Sequence, residues 1–161
     1  MDRAEFVDVV VEIPKGSRNK YEYDHERGVM RLDRRLLSAM TYPADYGFFP
    51  ETLGEDGDPL DALVLVNDPT FPGCWLKARP IGIFWMEDEA GPDAKIICVP
   101  DDPFWETIGD ISELSDALRA EIEHFFDVYK MLEPEKSSST KGYEGHERAV
   151  EEIEAAQKRH R

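Results

Sequence analysis

Three carboxylates fall within six residues in the run Asp56-Gly57-Asp58-Pro59-Leu60-Asp61. At that spacing they repel one another unless a cation sits among them. Gly57 permits a tight backbone and Pro59 fixes the chain, so the carboxylates are held rather than left to sway. An all-oxygen donor set of this kind suits Mg²⁺, Mn²⁺ or Ca²⁺, not Zn²⁺. A solvated turn in an acidic chain has the same composition, and the hexapeptide alone leaves both readings open. One cation motif is excluded. Counted as an EF-hand loop from Asp56, the sixth position holds Asp61 instead of glycine and the twelfth holds Asn67 instead of glutamate.

A second acidic group, Asp88, Glu89 and Asp93, lies close to Lys95, and by itself it reads as a hydrophilic hairpin loop. Lys20, Arg34, Tyr42, Tyr46, Tyr129 and Lys130 are scattered along the chain, and each alone reads as a surface residue or a core phenol. Beside divalent cations held by the carboxylates, they would suit a phosphate-rich anion. Spacing by itself does not bring them to one place. His25, His124, His146 and His160 share no motif and read as ordinary surface or interface residues.

Any such site needs elements to hold it. Strand-like segments dominate the first hundred residues, beginning with Phe6 to Ile13 and its terminating turn Pro14-Lys15-Gly16-Ser17. Lys20 to Asp24 alternates charged and aromatic residues, so a strand there puts Lys20, Glu22 and Asp24 on one face. Val29 to Leu32 is a further short strand, and Leu60 to Val66 is an apolar run behind the acidic turn. Ala78 to Met86 and Lys95 to Val99 flank a connection of hairpin length. Beyond Asp110, Leu114, Leu118, Ile122, Phe125, Phe126 and Tyr129 recur at helical spacing, with Ser112 or Ser115 as N-cap and Pro134 bounding the far end. The Phe125-Phe126 face packs either on its own sheet or on a neighbouring subunit, which periodicity does not distinguish. Ser137-Ser138-Ser139-Thr140 reads as a polar loop, and Ala149 to Lys158 as a second, exposed helix. The order of elements predicts a mainly β chain with flanking helices (α+β), a small barrel with helices packed outside.

A length of 161 residues fits a single domain, 1–161, with a real core. The net charge of −16 argues against a protein that holds nucleic acid phosphates or an anionic membrane. Three Trp, six Tyr and eight Phe are too many for a disordered acidic chain. No apolar run approaches the roughly 18–20 residues that span a bilayer, and the first residues lack a signal-peptide pattern. Cys74 and Cys98 are too few for a disulfide framework and read as free thiols. These features predict a soluble, cytoplasmic protein.

Further motifs stand around the acidic turn. Val11-Glu12-Ile13-Pro14-Lys15-Gly16, Asn19-Lys20-Tyr21-Glu22 and Tyr42-Pro43-Ala44-Asp45-Tyr46-Gly47 precede it. Asp88-Glu89-Ala90-Gly91, Asp93-Ala94-Lys95 and His124-Phe125-Phe126-Asp127-Val128-Tyr129-Lys130 follow it. With an Asp-x-Asp-Pro-x-Asp core followed by Ala62, this order and spacing resembles the bacterial-type family I soluble inorganic pyrophosphatases almost end to end.

The resemblance implies an OB-like five-stranded β-barrel with two α-helices in the C-terminal half, and a homo-oligomer, commonly a hexamer. It implies hydrolysis of inorganic pyrophosphate to two orthophosphates by a metal-activated water, with several Mg²⁺ ions per active site, Mn²⁺ or another divalent ion as substitutes, and inhibition by Ca²⁺. By position, Asp56, Asp61 and Asp93 match ligands of a first catalytic metal, with Asp61 shared by a second. Asp88 and Asp93 match carboxylates that hold metals arriving with substrate, and Glu22 a further metal contact. Asp58 takes the place of the general base. Lys20, Arg34, Tyr129 and Lys130 match phosphate-binding residues, and Lys95 an active-site lysine near the same anion. Tyr42 falls with the substrate-binding residues, Tyr46 with the catalytic ones, and Glu12 with the polar cavity wall. The chain departs after Glu133-Pro134-Glu135-Lys136, where relatives often carry a basic residue beside an aromatic and this chain has Ser137-Ser138-Ser139-Thr140-Lys141. That leaves open whether Lys141 helps close the site.

Two other functions compete. A non-catalytic OB-type module for nucleic acid or another anion is disfavoured by the charge and by the lack of a basic stripe with interleaved aromatics. A Ca²⁺-binding structural domain would bind the ion and turn nothing over.

Overall fold

Val9, Val10, Val11 and Ile13 are all buried in the first strand, β1 (Val7–Ile13), where β-branched side chains pack well on a pleated surface. The computed structural model describes residues 5–134 and 138–161. β1 pairs antiparallel with β4 (Asp45–Phe48), which pairs antiparallel with β5 (Asp61–Val64). β5 runs parallel to β7 (Gly91–Pro100), β7 pairs antiparallel with β6 (Trp75–Asp88), and β6 returns to β1 through Trp75 to Ala78. The order β1-β4-β5-β7-β6-β1 is a closed ring of five strands, the expected OB-like barrel, and closure leaves no bare edge among them. β8 (Ser138–Gly145) continues the sheet on the far half of β6, from Gly82 to Asp88. β2 (Asn19–Asp24) and β3 (Val29–Arg35) form a separate hairpin.

The central strands are apolar on both faces because both faces are covered. Leu63, Leu65, Ile97 and Val99 face one cluster with Ile122, Phe125 and Phe126 of α1 (Asp116–Val128). Ala62, Val64, Ile96 and Cys98 face the other, with Ala149, Ile153 and Ala156 of α2 (His146–His160). The Phe125-Phe126 face therefore packs on its own sheet. Ser115 is the N-cap of α1, its hydroxyl accepting from Leu118 N–H at 3.2 Å.

Two strands escape sequence patterning. β4 is four residues long and interrupted by Gly47, where a Cβ would stand 1.9 Å from the Val10 carbonyl oxygen. Only glycine lets β1 and β4 approach there, and the approach fixes Tyr46 beside it. β8 contradicts the expected polar loop: Ser138, Ser139 and Thr140 are strand residues paired with β6, and Lys141 sits at an irregularity in that pairing. Their polarity suits the outermost strand of a sheet, where tertiary pairing overrides weak propensity. Glu135, Lys136 and Ser137 lie outside the described residues.

Candidate active site

A cavity of about 220 Å³ opens between the β2–β3 hairpin, the acidic turn, the β6–β7 hairpin and the end of α1. The sequence explains why side chains from four separate motifs meet there. Lys20 and Glu22 are two apart on β2 and reach the cavity together. The third residue of that alternation, Asp24, does not line it and instead accepts from the N–H groups of Glu26 and Arg27 in the hairpin turn. Asp61 opens β5 and sits opposite Lys95 in the parallel register with β7, on which Asp93 shares the face of Lys95. Asp56 and Asp58 enter from the acidic turn, where Gly57 has φ +89°. Tyr129 follows the last residue of α1 and brings Lys130 with it.

Lys95 sits at the centre. Its ammonium donates to Tyr46 Oη at 2.6 Å, Asp61 Oδ2 at 2.8 Å and Asp93 Oδ2 at 2.7 Å. Those bonds use all three of its N–H groups, so an anion meeting Lys95 must replace one of them. Burial works against its charge, but Asp61 foremost, with Tyr46 and Asp93, keeps Lys95 firmly protonated. Burial pushes the Tyr46 phenol well above its usual range, and that of Tyr129 up to about 12, so both remain O–H donors.

The carboxylates of the cavity are only partly compensated. Burial holds Asp93 above the usual carboxylate range, with Asp61 adding to the effect and Lys95 opposing it. Partial desolvation of its carboxyl, together with Asp93 and Asp58, does the same to Asp56, although the residue as a whole is exposed. Glu12 is pushed to about 7, mainly by burial, while its Oε2 accepts from Tyr23 N–H at 2.9 Å and ties β1 to the hairpin. Lys130 stands 3.9 Å from Asp88 and 3.6 Å from Glu89. This surplus of hard oxygen donors fits divalent cations. Among the described residues no three of these side chains close into a ready-made cage.

Removing the Lys95 ammonium tests this balance. Lys95→Met leaves Asp61 and Asp93 facing each other without a cation, a loss worth about 3–5 kcal/mol for a buried pair. The metal-free protein is expected to melt roughly 10 °C lower, and Mg²⁺ is expected to stabilise it more than the unsubstituted protein. Thermal melts in EDTA and in Mg²⁺ measure both, and an equal Mg²⁺ effect on the two proteins would contradict the idea that lysine and metal relieve the same charges.

Arg34 and Tyr42 stand off the cavity wall. Tyr42 is buried in the aromatic core, its ring 5.6 Å from that of Tyr46 and 4.6 Å from that of Phe125. Arg34 donates to Asp33 Oδ2 at 2.6 Å, and Lys20 Nζ donates to the same oxygen at 3.2 Å. Partial burial would raise the Asp33 carboxyl, but Lys20 and then Arg34 hold it below the usual range. Asp33 is thus a shared brace for two cations, and Glu133 braces Arg34 from the other side at 3.3 Å. Sequence reading missed both. Strand alternation would put Asp33 and Arg34 on opposite faces; the irregularity in pairing between Lys20 and Tyr21, which leaves Asp33 as the extra residue of β3, brings both toward Lys20 and has no signal in the sequence. His25 was also missed: it lines the cavity, edge-on to Tyr23 and Phe48. His124 and His160 are exposed, and His146 is buried with Nδ1 2.7 Å from the Pro80 carbonyl. Cys74 and Cys98 are free, the latter buried. Among the described residues no helix is long and apolar enough to cross a bilayer.

A family model described as inorganic pyrophosphatase matches residues 9–161. The chain is 58% identical over 153 residues to the inorganic pyrophosphatase of Streptomyces coelicolor, covering 94% of each. It is 52% identical over 153 residues to that of Methanosarcina acetivorans, covering 94% of this chain and 90% of that one. The solved inorganic pyrophosphatase of Helicobacter pylori superposes with a TM-score of 0.95 at 46% identity, covering 99% of this chain and 95% of that one. The structure from Thermus thermophilus gives 0.95 and 46%, with 99% and 94% covered.

Proposed function

The chain belongs to the inorganic pyrophosphatase family and hydrolyses inorganic pyrophosphate to two orthophosphates, and from that premise we propose how its residues divide the work. The observation that carries the reading is the cavity itself, which faces carboxylates from the acidic turn, β5 and the β6–β7 hairpin with Lys20, Lys130 and two protonated phenols. Pyrophosphate, with roughly three to four negative charges near neutral pH, is repelled by bare carboxylates. Glu22, Asp56, Asp61, Asp88 and Asp93 are the residues that would hold Mg²⁺, which when bound supplies charge neutralisation and a water of lowered pKa.

Asp58 orients the attacking water and takes its proton as the oxygen approaches one phosphorus in line. Lys20, Lys130 and the Tyr129 hydroxyl hold the phosphate oxygens and the charge that develops on the leaving phosphate. Arg34 joins them through Asp33, which fixes it relative to Lys20. Tyr46 holds Lys95 at the cavity wall, and Tyr42 supports the Tyr46 ring from the core. No covalent enzyme intermediate is required.

The whole chain acts as one domain. The free thiols of Cys74 and Cys98 suit a reducing compartment and support a cytoplasmic enzyme. Exposed Phe71 and Trp75 support an oligomer, for which the family resemblance favours a hexamer. Phosphate release from pyrophosphate, measured with Mg²⁺, with EDTA, and with Ca²⁺ in place of Mg²⁺, tests the metal reading. Fast release is expected with Mg²⁺ alone, since Ca²⁺ fills the site with looser geometry. Equal rates in EDTA and Mg²⁺ would remove metal from the mechanism.

A further inference from the structure

The acidic turn has few anchors of its own. Asp56, Gly57 and Asp58 are exposed, and their bonds are internal: Gly54 N–H to the Asp58 carbonyl (2.6 Å), Gly57 N–H to the Gly54 carbonyl (3.1 Å) and Asp58 N–H to Asp56 Oδ1 (3.0 Å). On the barrel side, Thr52 Oγ1 accepts from Leu60 N–H at 3.0 Å and donates to the Phe49 carbonyl at 2.6 Å, and Phe49 N–H donates to the Leu60 carbonyl at 2.9 Å.

A further anchor comes from the far end of the chain. Leu53 N–H donates to the Ala156 carbonyl of α2 at 2.9 Å. Arg159, one turn further on, donates from Nη1 to the Leu53 carbonyl at 3.1 Å, while its Nη2 stands 3.6 Å from Glu55 Oε1 and 3.5 Å from Glu152 Oε1. The Glu152 side chain is only 5% exposed, and its other oxygen accepts from Arg148 Nη2 at 3.2 Å. A buried carboxylate between two guanidiniums keeps Arg159 from swinging into solvent. Glu152 lines a small space directly behind Asp56, Asp61 and Asp93.

We propose that Arg159, held by Glu152, is a positioning residue that clamps Leu53 and Glu55 and so sets Asp56 and Asp58 at working distance from Asp61 and Asp93. Residues 53–55 run straight into Asp56, so a slip at the clamp passes to the metal-ligating carboxylate without attenuation. A planar fork can serve the Leu53 carbonyl and two carboxylates at once, which a lysine ammonium on a flexible stem matches less well. The inference rests on the metal reading of the cavity.

Mn²⁺ binding by equilibrium dialysis without substrate, together with the Mg²⁺ dependence of turnover, tests it. Arg159→Ala is expected to weaken Mn²⁺ binding about 10-fold, as loss of an outer partner does at metal sites. Its kcat should return close to that of the unsubstituted protein once Mg²⁺ is saturating. Arg159→Lys should recover only part of the affinity. Val150→Ala, which thins the buried face of α2 and leaves Glu152 and Arg159 in place, should bind Mn²⁺ within 2-fold of the unsubstituted protein. Unchanged binding by Arg159→Ala overturns the proposal, and so does an equal loss in Val150→Ala, which would point to general packing of α2. If the unsubstituted protein binds no Mn²⁺, the metal reading itself falls and takes this one with it.

Discussion

Asp58→Asn is expected to lower kcat by about 10²–10⁴-fold, the usual worth of a general base, while the KM for pyrophosphate and the affinity for Mg²⁺ stay within a few-fold. The geometry makes the separation possible. Among the described residues the Asp58 carboxylate has no hydrogen bond or ion pair to the protein, and the residue is tied in through its backbone N–H, which donates to Asp56 Oδ1. An amide in place of the carboxylate therefore leaves the turn intact and takes away only the ability to accept a proton. An interaction needed in the transition state but not in substrate binding lowers kcat and kcat/KM together. Steady-state rates across pH at saturating Mg²⁺ give the readout. An unchanged kcat with an unchanged pH profile moves the base elsewhere.

Spacing marks the turn that carries this carboxylate, while its role as base comes from the family resemblance. Asp56, Asp58 and Asp61 share one turn, so their mutual repulsion follows from spacing alone. β5 and β7 were equally legible, because strands buried on both faces must be apolar throughout. The limits appear where a residue's role depends on a partner far away in the chain. Nothing near Lys95 in sequence indicates that its three donors go to Tyr46, Asp61 and Asp93, since the parallel pairing of β5 with β7 creates that arrangement. Asp33 reads as one more surface acid until the β2–β3 register sets it between Lys20 and Arg34. β4 and β8 were invisible for the same reason: four residues around a glycine, or a polar edge, gain their order from the strands they pair with. Arg159 lies a hundred residues from the turn it grips.

Asp61→Ala is expected to lose metal and turnover together, and in this it should differ from Asp58→Asn. Asp61 is the first residue of β5, where the strand fixes its backbone, and it lines the cavity beside Asp56 and Asp93. If one carboxylate serves two cations, its loss weakens both. Lewis-acid stabilisation of several kcal/mol corresponds to about 10³-fold in kcat at ordinary Mg²⁺. The fold should survive, because Lys95 keeps Asp93 and Tyr46 as partners and the remaining Lys95–Asp93 pair is balanced in charge. In that respect the variant differs from Lys95→Met, which leaves two carboxylates opposed. Raising Mg²⁺ separates the candidates. Asp61→Ala should regain part of its activity as Mg²⁺ increases, whereas Asp58→Asn should regain none, since its metal affinity was never impaired. Full turnover by Asp61→Ala at ordinary Mg²⁺ would show that this carboxylate does not bridge the two cations, and would return the search for a shared ligand to Asp56 and Asp93, whose carboxyls burial and like charge already hold above their usual range.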